Sequence, residues 1–453
     1  MVGSDLPGER RPAHAGRHGL TRESEGRLAE LGRRLPPPSE EDRKIMAADR
    51  AARITRRLGV SLVVLLVVVL GVGAAVQWLR PLPQPTLTGL ATPIRVPGSP
   101  PSLPWPTSGE AALAVPGLGT LGQVRAAQPV PIAGLAGVLA AYVVLKDHPL
   151  RTGGFTGPTI SVSPQTLSAF ASGSADGQPE VAVTPGETLT ELDALEGLLI
   201  DSGNDMATLL AVWDAGSTSA FLDKMDLAAL SLGLTHTRIT DPSGADAGTV
   251  STPGDLLRLG EAVMRIPVFG QIVSLGEAVL PVAGLHYNPN FVLGRDGVIG
   301  IVAGSDTATN GCYLFAAQKT VNGQTVTLYG AVLGQSGPQG PNTAAVEAGD
   351  ALVKAALAAI TAVPVVGPGH AVGELSAPWG AAAPVTVSAP VTVLAWPGLG
   401  VPMTTRLVAL SEPVAAGTRV GTLVVRQGSH VSTAALITTA TLSGPSGAWR
   451  LTR

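Results

Sequence analysis

One cysteine stands in 453 residues. Cys312 has no partner within the chain, which excludes an intramolecular disulfide. A chain of this length buries enough core to do without one. Cys312 sits in the apolar run Cys312-Tyr313-Leu314-Phe315-Ala316-Ala317 and reads as a buried strand thiol rather than a nucleophile. Aromatic residues make up only 4% of the chain, so the core must rest on Ala, Val and Leu. The seven histidines show no metal-ligand spacing, and no metal site is expected. No glycine-rich phosphate loop follows a strand, and no cofactor is expected. The net charge is −3. Residues 1–58 hold thirteen basic and nine acidic residues, which leaves seventeen basic and twenty-four acidic residues in the remainder. That acidic remainder argues against nucleic-acid binding, which needs a basic face.

Against these shortages stands one long run without charge. Residues 58–79 (LGVSLVVLLVVVLGVGAAVQWL) are nearly all apolar, long enough for a helix to cross a hydrocarbon core of about 30 Å. Arg50, Arg53, Arg56 and Arg57 precede it closely and only Arg80 follows closely. The excess of positive charge places the N-terminus in the cytoplasm and the C-terminal bulk outside, at a plasma membrane crossed once. Trp78 suits an interfacial anchor. A cleaved signal peptide is the competing reading, and it calls for a shorter apolar core and a far shorter leader.

The flanking segments differ in composition. Residues 1–57 are polar and charged and read as a mostly disordered cytoplasmic tail, with a short helix over 40–57. Residues 80–109 are dense in proline and read as a stiff, extended linker. A globular region spans 110–362. Within it the pattern is helical over 133–147, over 189–232 with a break near Ser202-Gly203, and over 253–265 behind the cap-like Ser251-Thr252-Pro253. Strand patterns cover 297–303, 311–318 and 325–334, with Asn322-Gly323 as the hairpin turn between the last two. An amphipathic helix over 342–361 closes the region. Residues 371–453 are short Val- and Thr-rich runs broken by Pro and Gly and read as a small β-sandwich. The fold class is α+β: a helical region beside an antiparallel sheet, then a C-terminal β-domain, all preceded by one transmembrane helix.

Several segments carry a family likeness. They are Pro131-Ile132-Ala133-Gly134-Leu135-Ala136-Gly137 with Ala140-Ala141-Tyr142, then Ile200-Asp201-Ser202-Gly203-Asn204-Asp205, then Asp241-Pro242-Ser243-Gly244, then Ser251-Thr252-Pro253, and last Gly300-Ile301-Val302-Ala303-Gly304-Ser305. From about residue 110 to 450 the chain resembles the serine-type D-alanyl-D-alanine carboxypeptidases, low-molecular-mass penicillin-binding proteins of β-lactamase-like fold. The resemblance implies an acyl transfer run by three motifs. A Ser-x-x-Lys pair supplies nucleophile and base from one helix face. A Ser-x-Asn motif shuttles a proton and orients the substrate. A Lys-Thr-Gly strand binds the terminal carboxylate.

Here Gly134 and Gly137 stand in place of the nucleophile and base, Ser202 and Asn204 remain, and Val302 and Ala303 replace the carboxylate-binding pair, leaving Gly304. None of the five lysines has a serine three residues before it; Glu41, Val143, Phe221, Ala316 and Ala351 occupy those places. Lys319-Thr320 continues into Val321 and does not make a shifted third motif. Loss of a catalytic serine alone costs roughly a million-fold in turnover. The expectation is therefore an inactive relative, a membrane-anchored pseudoenzyme that binds peptidoglycan or a cell-wall or division protein. An active D-Ala-D-Ala hydrolase with a non-standard nucleophile, Ser202 or Ser305, is the alternative, and a structural spacer without a ligand is the blandest. For Ser202-Gly203-Asn204 the plain alternative is helix capping by Ser202 or Asn204. Asp201 and Asp205 read as solvated loop carboxylates. Gly134 and Gly137 read equally as a place of close helix packing, with a closed or altered cleft as the result.

Overall fold

Ser39 starts the first helix. Its hydroxyl accepts from Asp42 N at 3.2 Å, and Asp42 accepts in return from Ser39 N at 3.2 Å, a reciprocal cap. From there one helix, Glu40–Leu79, runs unbroken through the charged stretch and the apolar one, with no buried residue. A computed structural model describes residues 39–90, 92–173, 180–306 and 309–453. Among them this is the one helix long and apolar enough to cross a membrane, with a mean hydropathy of 2.8 over its most apolar window. The first 38 residues, most of the expected tail, lie outside the described set.

The chain divides into two units, residues 1–82 with 445–453, and residues 83–444. The first also holds a short helix, Gly447–Thr452, capped by Ser446. The strand-only reading of 371–453 therefore stops short of the last residues. Ser446 and the Ala-Trp-Arg run behind it supply a helix start that the preceding Val/Thr pattern masks.

The second unit is built on a five-stranded antiparallel sheet. Its order is Val298–Asp306, Asn310–Val321, Gln324–Gln335, Glu110–Val115 and Gly119–Val124. The three expected strands are there, longer than their patterns indicated, and Asn322-Gly323 makes the turn with φ of 50° and 74°. Two further strands, 110–115 and 119–124, join from far upstream. Side chains alternate between two cores. One face packs Leu113, Tyr313, Phe315 and Val332 against the helix Pro341–Ala359. The other packs Cys312, Leu314 and Ala331 against Ala136–Asp147 and its neighbours. Burial of so many Ala, Val and Leu side chains, at about 25 cal/mol per Å² of apolar surface, drives this assembly.

The stretch read as one interrupted helix over 189–232 is three helices: Glu191–Ile200, Asn204–Ala215 and Thr218–Ser231. The second break falls where Gly216 takes a left-handed φ of 77° and Ser217 caps the next helix. The helix behind Thr252 and Pro253 is Pro253–Val263, with Thr252 accepting from Asp255 N at 3.3 Å.

A second, smaller core lies between two β layers. The larger layer orders Thr86–Thr88, Gly373–Ser376, Ala382–Val387, His430–Thr438, Arg419–Gln427 and Met403–Leu407, all antiparallel. The other layer holds the ladders Thr361–Val366 with Val391–Ala395 and Ile94–Arg95 with Gly400–Val401. Two of these strands come from the segment expected to be a free linker. Proline lacks a donor but suits extended backbone, and a sheet edge asks for only one row of bonds, so the Pro-rich stretch adds Thr86–Thr88 to the edge. Val96 and Leu103 bury themselves at 3% and 8% exposure.

The joint between the cores packs Leu394 and Trp396 into the core against Pro341–Ala359 and also brings main chain against main chain. A Cβ on Gly117 would lie 2.3 Å from Gly428 N, so the turns after Val115 and Gln427 touch with no side chain between them. Both glycines hold positive φ, 78° and 59°.

Candidate active site

Ala133 begins a 3-10 turn, Ala133–Leu135, with an uncommon φ of 47°. That turn delivers Gly134 to the foot of the helix Ala136–Asp147 and to the middle of the second unit. Ser202, also at positive φ (56°), arrives from between two helices, and Gly304 from the edge strand. The three meet. A Cβ on Gly134 would lie 3.0 Å from Ser202 Oγ and 4.0 Å from Gly304 Cα, and a Cβ on Gly304 would lie 3.5 Å from Ser202 Oγ. Residues separated by up to 170 positions in sequence thus converge on one spot, in the arrangement that the motif spacing implies.

The place of the second glycine is filled. A Cβ on Gly137 would lie 2.8 Å from Leu198 Cδ1, and Leu198 is only 2% exposed. An apolar side chain from Glu191–Ile200 occupies the ground where a lysine would extend. Val302 faces the same helical core at 2% exposure, while Ala303 belongs to the opposite core against Pro341–Ala359. Ala303 reaches the cleft with its carbonyl, which accepts from Ser202 Oγ at 3.5 Å.

A hollow of about 10 Å³ is lined by Gly134, Ser202, Asn204, Ala245, Ser305 and Asp306 among others. It has room for about one water. None of the five lysines lines it. Lys319 donates instead to the carbonyls of Leu357 and Ile360, the latter at 3.1 Å, and closes the end of Pro341–Ala359.

The walls are held by carboxylates. Asp241 accepts from Ser243 Oγ at 2.6 Å, Gly244 N at 2.8 Å, Ala245 N at 3.0 Å and Thr249 Oγ1 at 2.7 Å. This fastens the Asp241-Pro242-Ser243-Gly244 loop over the site. Gly244 is obligatory there, because at φ 86° a Cβ would fall 1.8 Å from the Ala133 carbonyl oxygen.

Asp201 and Asp205 are not the solvated carboxylates that their loop position suggested. Asp205 is 5% exposed and accepts from Val181 N at 3.0 Å, and burial pushes it up to about 6. Asp201 pairs with His286 Nδ1 at 3.0 Å; burial raises it and the histidine pulls it back. The helix Asn204–Ala215 has Gly203 at its cap with no side-chain bond, so neither Ser202 nor Asn204 caps it. The left-handed turn at Ser202 aims its hydroxyl across the cleft instead of back at the helix amides. Cys312 is fully buried beside Gly304 on the neighbouring strand, and burial pushes its thiol up to about 12.

Comparison with known proteins follows the same outline. Residues 120–333 match the family model described as D-alanyl-D-alanine carboxypeptidase. The chain is 34% identical over 174 residues to D-alanyl-D-alanine carboxypeptidase DacB2 of Mycobacterium tuberculosis, covering 36% of this chain and 60% of that one. It is 32% identical over 165 residues to a D-alanyl-D-alanine endopeptidase of Pseudomonas aeruginosa, covering 36% and 48%. The matched stretch is thus 60% or less of the length of these relatives. Penicillin binding protein 5 from Haemophilus influenzae shares the fold, with a TM-score of 0.52 over 77% of this chain and 100% of that one at 18% identity. Residues 120–333, just under half of the chain, therefore resemble the D-alanyl-D-alanine carboxypeptidase family, and the chain shares the fold of a penicillin-binding protein.

Proposed function

We propose that this chain is a membrane-anchored, extracytoplasmic member of that family that has given up acyl transfer and serves by binding at the cell wall. One observation carries the reading. Gly134 offers no hydroxyl beside Ser202, and Leu198 fills the ground that a general base at position 137 would need. Nucleophilic catalysis needs a nucleophile and a base within hydrogen-bond reach. Loss of the nucleophile alone costs roughly a million-fold, and parts that act as a unit are not rescued by the survival of Ser202 and Asn204. Binding of peptidoglycan or of a wall or division protein then falls to surfaces outside the cleft. The apolar helix anchors the molecule, with the arginine-rich side in the cytoplasm.

Fluorescent penicillin tests this directly. Full-length protein in detergent, incubated with the probe, is expected to form no covalent adduct, and to sediment with purified cell-wall sacculi. A stoichiometric adduct would overturn the reading. An adduct lost in Ser202→Ala would establish a working hydrolase with a non-standard nucleophile.

A further inference from the structure

A second hollow lies away from the Gly134–Ser202 site, at the joint between the cores. A pocket of about 450 Å³ opens between the five-stranded sheet and the C-terminal β layers. That lies within the range of small-ligand sites, roughly 300–1,000 Å³. One wall is the strand Gln324–Gln335 with the end of Pro253–Val263, and the other is the turn between Arg419–Gln427 and His430–Thr438.

Three observations characterise the pocket. First, its walls are fixed. Gly117 and Gly428 touch through main chain, and the Gln427 amide spans to Leu394, donating to its carbonyl at 2.7 Å and accepting from its nitrogen at 3.2 Å. Second, Tyr329 lines the pocket at 7% exposure, and its hydroxyl has no hydrogen-bond partner among the described residues. That oxygen is open to the solvent in the pocket rather than sealed in the core. Third, the remaining lining is neutral and two-faced. Leu118 and Leu394 supply flat apolar surface, while Gln324, Ser429 and His430 supply donors and acceptors. The only opposite charges, Glu261 and Arg265, are paired with each other.

We propose that this interdomain pocket binds a neutral saccharide. A sugar ring presents C–H faces to apolar walls and hydroxyls at its rim, the complement of this lining. An ionic ligand finds no uncompensated charge of either sign on the Glu261–Arg265 pair. The Tyr329 hydroxyl, open to the pocket, meets a sugar hydroxyl in place of solvent. Residues from both cores take part, so the joint doubles as the site. The inference does not depend on whether the cleft has lost its chemistry.

The test is calorimetric titration of the full-length protein in detergent with a β-1,4-linked N-acetylglucosamine tetrasaccharide. Saturable binding is expected. Tyr329→Phe, which keeps the ring and removes one hydroxyl, and Ser429→Trp, which fills the exposed rim, should each weaken it about tenfold. Thermal unfolding of both variants should match the parent, which separates loss of binding from loss of fold. A length series from the disaccharide upward identifies the source. Affinity that rises with length marks a glycan strand, and constant affinity marks a free short sugar; both support the site. No saturation by the parent protein overturns the proposal. So does unaltered binding in both variants, or a preference for a phosphorylated probe over the neutral one.

Discussion

Glu191 is a carboxyl group where a carboxylate is costly. It is 1% exposed, neither oxygen has a partner among the described residues, and burial pushes it up to about 7. The folded state therefore holds a proton that the unfolded chain releases at its ordinary value. The stabilisation is complete below that value and is lost as pH rises through about 7. Glu191→Gln, which keeps the shape without the charge, should be more stable than the parent near pH 8 by on the order of 2 kcal/mol, with the gap closing near pH 5. Urea unfolding midpoints at the two pH values check this, and an equal gap at both would refute it. Glu191 could not be singled out beforehand, because an acidic residue in a first helical turn ordinarily faces water and favours the helix dipole. Gly134, Ser202 and Gly304 were legible, since each sits inside a motif whose spacing survives where its chemistry does not.

The helices Ala136–Asp147 and Glu191–Ile200 pack through Gly137 and Leu198. Glycine in a helix costs about 1 kcal/mol relative to alanine, and here it admits a neighbouring leucine at close range. Gly137→Lys should lower stability by about 3 kcal/mol or more, because an ammonium group would be forced against hydrocarbon with no partner. Shrinking the neighbour should relieve that strain. In a cycle with Leu198→Ala the double variant is expected to lose less than the two single losses combined, by about 1 kcal/mol or more. Strict additivity in denaturant unfolding would show that the two positions do not compete for space. The close packing was legible as one of two meanings of a glycine pair, but Leu198 as its occupant was not. Among the many leucines of that helix, periodicity assigns a face and not a neighbour. Helix and strand types were otherwise well marked by pattern. The misses came where local signals mislead: Gly216-Ser217 inside a helical period, the hairpin 110–115 and 119–124 that joins a sheet strand some two hundred residues away, and prolines that suggested a spacer yet supplied sheet edges.

At the scale of the whole chain, the 40-residue helix has no buried residue along its apolar half. An apolar surface of that extent is stable only against lipid. The full-length protein should stay with membranes through alkaline carbonate extraction, whereas a chain lacking residues 40–79 should move to the soluble fraction. A mature N-terminus mapping beyond residue 79 would mark the segment as a removed signal instead. The long apolar helix was legible from composition alone, because length and freedom from charge are what such a helix requires. The joint at Gly117 and Gly428 was not, since nothing in either turn names the other. That contact has a mechanical consequence. Where the two backbones touch there is no side chain between them to give way, and beside that point Leu394 and Trp396 are packed tight in the shared core. A pull on the turn at Gly428 would therefore pass directly to the turn at Gly117 and into the five-stranded sheet.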